Sequence, residues 1–293
     1  MDENEWLAKR FEEHRSHLRA VAYRMLGSLS EADDAVQEGW LRLSAADTSD
    51  VENLGGWLTT VVGRVCLNML HSRRTRRENP LDPRLPDPII SPERGVDPEQ
   101  EVLLADSVGV ALLVVLEMLP PAERLAFVLH DMFAVPFDEI APIVGRSPAA
   151  ARQLASRARR RVQGTAPRPS GDPARQREVV DAFFAAARGG DLDALVAVLD
   201  PEVVLRSDGG ARPGASVVIS GPEDIARRAF SFAGPARMLR PALVNGAPGV
   251  VVTVRDRPVS IMGFTVTDGR IAAIDVLTDP DRLSRLDLTV LDA

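Results

Sequence analysis

The stretch "VGRSPAAARQLASRARRRV", residues 144–162, carries arginine at 146, 152, 157, 159, 160 and 161 and no acidic residue. A guanidinium presents a planar fork of N–H donors that matches phosphate and carboxylate oxygens, so the chemistry on offer is anion binding. The whole chain has formal charge -7 and pI near 5.3, which makes the stripe a local feature of an acidic molecule. Such a cluster repels itself unless an anion lies opposite. Lys9 is the only lysine among 35 basic residues, a bias that a GC-rich genome produces unaided, so placement and not number carries the argument.

The elements around the stripe supply that placement. "FDEIAPIVGRSPAAARQLASRARRRV" predicts a short helix over 137–144, a turn at Gly145, and a longer helix capped by Ser147 with Pro148 in its first turn. This is helix-turn-helix grammar, in which the start of the second helix enters the DNA major groove and basic residues further along meet phosphates. Ser147, Ala149, Ala150, Arg152 and Gln153 would face base edges, and Arg157, Arg159, Arg160 and Arg161 the backbone. Charge alone suits a solvated helix equally well; the turn favours DNA.

A second basic segment, "WLTTVVGRVCLNMLHSRRTRRE", places Leu58, Val61, Val62, Val65, Leu67 and Leu70 on a broad buried face and ends in Arg73, Arg74, Arg76 and Arg77. Arg64, Asn68 and His71 fall along one stripe. Trp57 follows a polar loop, "SAADTSDVENLGG", suited to an unstacked base. Taken alone, Trp57 fits a core position and the arginines a solvated helix end. One helix earlier, in "SEADDAVQEGWLRL", Ser30 and Asp33 read as a capping box, and Ala32, Ala35, Val36, Leu43 and Trp40 as the buried stripe. Asp33, Asp34, Gln37 and Glu38 are left outside, either as a solvated face or as a docking face for a basic partner.

At 293 residues the chain exceeds the usual single domain. Residues 1–77 read as one helical domain, 78–100 as a linker with proline at 80, 83, 86, 88, 92 and 98, and 101–163 as a second helical domain. "GTAPRPSGDP" supplies a further linker over 164–173. From 174 to 293, two helical stretches precede short β-branched runs, with Asp268-Gly269 as a hairpin turn; an α+β domain with antiparallel strands is expected.

Several classes are excluded by this reading. The most apolar run, Val108 to Leu116, is too short to cross a bilayer, the N-terminus lacks a secretory h-region, and the single cysteine, Cys66, forms no internal disulfide, so a cytoplasmic protein without membrane contact is expected. No metal-ligand cluster, nucleotide-binding glycine loop or nucleophile–base pair can be assembled, and all four histidines, at 14, 17, 71 and 130, precede the α+β domain. No catalytic residue, metal or cofactor is assigned, and the chain is not expected to be an enzyme.

The acidic helix, the Trp57 helix and the helix-turn-helix together resemble regions 2 and 4 of a bacterial RNA polymerase sigma factor of the extracytoplasmic-function (ECF) type, over roughly residues 5–163. The resemblance implies that Asp33, Asp34, Gln37 and Glu38 bind the β′ clamp helices of core RNA polymerase, with the β flap a further contact. It also implies that Asn53, Trp57, Arg64, Asn68, His71, Arg73 and Arg74 engage the -10 promoter element. Ser147, Ala149, Ala150, Arg152, Gln153, Arg157, Arg159 and Arg160 would engage the -35 element.

The last third resembles the SnoaL-like, or NTF2-like, cone, and sigma factors with that extension form the subgroup often labelled ECF41. "RLPDP" at 84–88, "DGGAR" at 208–212 and "DPDRL" at 279–283 stand where that subgroup carries "WLPEP", "DGGGK" and "NPDKL" motifs. Arg84 replaces the tryptophan, which removes an aromatic anchor; Arg212 and Arg282 keep the lysines' charge. The fold class implied is multidomain: two all-α sigma domains and an α+β NTF2-like cone.

By the same resemblance, Leu85, Pro86, Asp87, Pro88, Asp208, Gly209, Gly210, Arg212, Asp279, Pro280, Asp281 and Arg282 are regulatory contacts between extension and sigma domains. A one-component DNA-binding regulator with a ligand-binding cone is the alternative; it explains residues 101–293 but leaves the first 77 without a task.

Overall fold

A computed structural model describes residues 3–46, 51, 53–76, 84–93, 109–165, 172–210, 214–232, 237–286 and 288–291. The chain divides into two compact units: Met1–Pro80, Glu101–Asp106 and Val115–Thr165 form one, and Leu81–Gln100, Ser107–Val114 and Ala166–Ala293 the other. The sequence predicts separate domains over 1–77 and 101–163. Both helical segments lie largely in the first unit, and the described part of the proline-rich linker lies in the second.

The first unit is helical. Helices α1 (Glu3–Leu26), α2 (Leu29–Ala45) and α3 (Leu54–Arg76) pack on one another. Helix α2 starts earlier than its capping-box reading: Ser28 is the extended N-cap residue and Ser30 lies inside the first turn. Ala32, Ala35, Val36 and Leu43 are buried as expected, and Trp40 is half-buried with its ring 5.3 Å from that of Phe11. On α3 the buried face includes Leu58, Val62, Val65, Leu67 and Leu70, but Val61 is only half-buried. Burying a side chain of this kind is worth about 1.5–3 kcal/mol, which is what holds the three helices together.

Helix α4 (Val110–Met118) is divided between the units, with residues from 115 onward in the first. Helix α5 (Pro121–Phe127) continues into a π-helical turn, Val128–Met132, and is followed by α6 (Phe137–Val144) and α7 (Pro148–Thr165). Gly145 at φ 62° makes the left-handed turn between α6 and α7. The Ser147 hydroxyl accepts from the Ala150 N–H at 3.3 Å, as a cap should.

Helices α5 and α6 also pack on α3, where Gly63 leaves room for Leu129: a Cβ there would stand 3.3 Å from the leucine methyl. Buried Arg124 donates to the Met25 carbonyl at 2.9 Å and to Glu117 at 3.1 Å, closing the end of α1. Cys66 is buried and its thiol is pushed up by desolvation, which makes it inert packing.

In the second unit, α8 (Pro173–Gly189) and α9 (Leu192–Val198) are capped by Asp172 and Asp191 and lead into β2 (Leu199–Asp208) and β3 (Val217–Ser220). Helix α10 (Pro222–Phe232), which the β-branched pattern does not announce, precedes β4 (Met238–Val244), β5 (Ala247–Val254), β6 (Arg257–Thr267) and β7 (Arg270–Leu277). The short helix α11 (Pro280–Leu283) follows. Among the described residues the sheet has order β1-β4-β5-β6-β7-β2-β3, and its first strand, β1 (Ile90–Ser91), comes from the linker.

The pairing is antiparallel except for β2 with β7, which is parallel, a departure from the all-antiparallel expectation. Asp268-Gly269 forms the expected hairpin turn between β6 and β7. Three helices cover one face of the sheet around Phe183, Leu195, Ile225 and Phe264. The other face is covered by Ile90, Val110, Leu283, Leu286 and Leu291. Helices grouped on one side of a mixed sheet give the α+β cone anticipated from the sequence.

Candidate functional sites

On α7, Ser147, Ala149, Arg152, Gln153, Arg157 and Arg160 are exposed and Ala150 and Arg159 half-buried, so the expected DNA-reading face is open to solvent. The arginines are not equivalent. Arg152 lies over the Phe137 ring, 5.3 Å from its centre. Arg159 donates to Asp131 at 2.8 Å through Nε, while Arg157 and Arg161 reach the buried carboxylate of Glu123 at 3.2 and 2.7 Å. Glu123 and Asp131 therefore fix one edge of the basic face. Their roles escape a sequence reading because they lie on earlier turns, 38 and 28 residues from Arg161 and Arg159.

On α3, Arg64, Asn68 and His71 are exposed along one stripe and Trp57 is half-buried. Two expected contacts have other work. Asn53 accepts from the Gly56 N–H at 3.0 Å and so caps the helix. Arg73, expected on DNA, is turned inward: it donates to Glu31 at 3.1 Å and to the Leu26 carbonyl at 2.9 Å. The pairing fixes α3 against α2, and Glu31, 42 residues away, is the partner that the sequence does not announce. The side chain of Arg74, and most of the loop before Asn53, lie outside the described residues.

On α2, Asp33, Asp34 and Gln37 are exposed and Glu38 half-buried. Arg19 donates to Asp33 at 2.7 Å and Arg42 to Glu38 at 2.9 Å, leaving Asp34 and Gln37 at the centre of the acidic face. Beside them is a groove of about 240 Å³ floored by Phe11, Val36 and Trp40, an apolar complement that the charges alone do not reveal.

In the second unit the three matched motifs converge on one cluster. Arg282 donates to Asp208 at 2.7 Å, to Asp87 at 2.6 Å and to the Leu85 carbonyl at 2.8 Å. The other contact of the same Asp208 oxygen is the Leu85 N–H at 2.8 Å. Leu85, Pro86 and Pro88 are buried, and Asp87 is half-buried. Asp279 caps the helix that presents Arg282, accepting from the N–H groups of Asp281 and Arg282 at 2.9 and 3.4 Å. Pro280 occupies its first turn, and Asp281 is exposed.

The two glycines are demanded by crowding. A Cβ on Gly209 would stand 2.5 Å from the Ala215 carbonyl oxygen; one on Gly210, at φ +84°, would stand 2.5 Å from Asp279 Oδ2. Arg212 lies outside the described residues. Asn245, absent from the motif reading, accepts from the Ile89 N–H at 3.2 Å and donates its own N–H to Ile89 at 2.8 Å, pinning the strand that follows. Its only sequence signal is the Asn245-Gly246 turn. On β7, Asp275 is held above the usual carboxylate range by burial, partly offset by Arg206, which donates to it at 2.8 Å.

Comparison with known proteins decides between the readings. Residues 10–77 match the Sigma-70 region 2 model and residues 109–162 the Sigma-70, region 4 model. The ECF RNA polymerase sigma factor SigJ of Mycobacterium tuberculosis is 40% identical over 290 residues, covering 94% of this chain and 92% of the relative. The chain belongs to the extracytoplasmic-function sigma factors.

The probable ECF sigma factor SigI of the same organism is 37% identical over 287 residues, 98% of each chain. The crystal structure of SigJ superposes on this sigma factor with TM-score 0.77, covering 96% of this chain and 99% of that one at 37% identity. The likeness thus includes the cone as well as the sigma regions, which the one-component regulator leaves unexplained. Among the described residues no helix is long and apolar enough to cross a membrane, and no group of three His, Cys, Asp or Glu is placed to hold a metal.

Proposed function

We propose that this sigma factor carries core RNA polymerase to promoters with separate -10 and -35 elements, and that its cone regulates the step from within the same chain. The observation that supports the first part is the ordered exposure of three charged faces: acidic on α2, Arg64-Asn68-His71 on α3, and Arg152-Gln153 on α7. The acidic face, with Asp34 and Gln37 central, docks on the β′ clamp helices, and region 4 meets the β flap. Arg64, Asn68, His71 and Trp57 engage the -10 strand. Ser147, Ala149, Ala150, Arg152 and Gln153 read the -35 major groove, while Arg157, Arg159 and Arg160 meet phosphate. Acting with polymerase, the protein works in the cytoplasm; no catalysis is assigned to it.

The second part rests on Arg282. An arginine fork shared by Asp208 of the cone and Asp87 of the linker ties the segment between the sigma regions to the cone, so contacts in the cone are felt where the regions must separate or reorient. A double substitution Asp34→Arg/Gln37→Arg tests the docking face, with loss of co-purification with core polymerase and retention of the thermal melt expected. Unchanged core binding would remove the face from the account. Separately, Arg282→Ala should change promoter output at equal core binding; identical output would end the regulatory reading.

A further inference from the structure

The helix-covered face of the cone sheet encloses a cavity of about 480 Å³, within the range that buries most of a drug-sized molecule. Its body is apolar: Phe183, Phe184, Leu239, Val252, Met262 and Val276 line it. Its ionisable lining consists of Arg188, Arg228 and Arg237, and no acidic side chain faces it among the described residues. At its border, Met238 and Val259 are 62% and 37% exposed, an apolar surface that solvent does not favour. An apolar chamber with charge of one sign selects a molecule of opposite sign and apolar body, because a cation would meet like charge and a neutral molecule would forgo charge-assisted hydrogen bonds.

We propose that this cavity binds an amphipathic monocarboxylic acid, with its chain or ring system among the phenylalanines and its carboxylate on the arginines. Ser207, Ser260 and Thr278 are the polar points inside. Two of them join the cavity to the Arg282 cluster. Ser207 is the strand neighbour of Asp208, and Thr278 donates to the Asp208 carbonyl through both its N–H, at 2.8 Å, and its hydroxyl, at 3.2 Å. Alternation along β2 turns Ser207 toward the cavity and Asp208 toward Leu85 and Arg282. A ligand that shifts this strand end therefore acts on the carboxylate that holds the linker. That consequence rests on the proposed regulatory role of Arg282; the binding itself does not.

The test is isothermal titration calorimetry on the full chain, without polymerase, using decanoate and 2-naphthoate as linear and aromatic acids, with decanol and decylamine as neutral and cationic matches. Decanoate, 2-naphthoate or both should bind about ten-fold or more tightly than the alcohol and the amine. That preference should disappear in Arg228→Gln/Arg237→Gln, and binding should be lost when Met262→Trp fills the chamber. Which acid binds distinguishes a fatty from an aromatic ligand.

Equal binding of all headgroups, no binding of either acid up to about 1 mM, or acid binding untouched by both variants would overturn the proposal. The headgroup comparison uses the unaltered protein, so a variant that fails to fold does not shield the idea. Acid binding without any change in promoter output would leave the site standing and remove only its link to the Arg282 cluster.

Discussion

Arg152 and Arg282 have the same side chain and opposite circumstances. Arg152 stands in solvent on the face of α7, with the Phe137 ring beneath it, whereas the Arg282 side chain is 12% exposed and shared between two carboxylates and a carbonyl. An exposed guanidinium retains its hydration until a phosphate replaces it, which suits contacts that form and dissolve. A buried one has lost its hydration already and depends on the protein groups around it, which makes it structural. Both kinds occur in the first unit, where Arg24 and Arg124 are buried while Arg64, Arg152 and Arg160 are exposed. Burial, rather than the number of arginines, therefore separates the promoter-facing groups from the ones that hold the protein together.

Substitutions should divide along that line, with the largest effect at the cluster. Arg282→Ala removes the cation that Asp208 and Asp87 share and should cost about 3–5 kcal/mol in denaturant unfolding, with Arg282→Lys recovering part of the loss because it restores charge but not the fork. A cost below about 1 kcal/mol would show that the linker is held by its apolar contacts instead. Gly210→Ala places a Cβ against Asp279 at positive φ and should cost about 1–3 kcal/mol, measured the same way. If its melting curve overlays the parent's, the turn is less constrained than its crowding implies.

Arg152→Ala should leave stability within about 0.5 kcal/mol while weakening holoenzyme binding to promoter DNA by about 1–3 kcal/mol. The reverse pattern would place Arg152 among the structural arginines.

The smallest effect concerns His17 on α1, near the Thr59 hydroxyl of α3 and edge-on to Phe133. Burial, then His14 and Arg24, hold its pKa below 6.5. The native state thus binds this proton less readily than the unfolded chain. The contribution is fully present above pH 6.5 and is lost as pH falls toward the lowered value. Unfolding free energy should decline on acidification through that window, and His17→Gln should flatten the decline; an unchanged slope would assign it to other groups.

Local signals made the helix-turn-helix legible: Ser147, Pro148 and Gly145 act within a turn of where they stand, and the structure places the elements at the expected residues. The features that escaped depend on distant partners. Ile90–Ser91 is a strand only because β4 offers its edge, and the parallel pairing of β2 with β7 joins segments with β3 through β6 between them. Arg73 reads as one more basic residue at a helix end until Glu31 and the Leu26 carbonyl are found beside it. The cone cavity is hidden for a related reason. Its lining comes from alternate positions of several strands, and such positions follow the same apolar pattern whether they meet a neighbour or enclose a space.

The central claim, that three charged faces serve polymerase and promoter together, is tested most directly by run-off transcription with core RNA polymerase and the full chain on a library of genomic promoters. Transcripts that start at a fixed distance from a shared pair of -10 and -35 sequences, and that vanish when the chain is omitted, are the expected result. No transcript from any promoter, together with salt-sensitive DNA binding by the protein alone, would contradict the account and leave a DNA-binding regulator that works without polymerase.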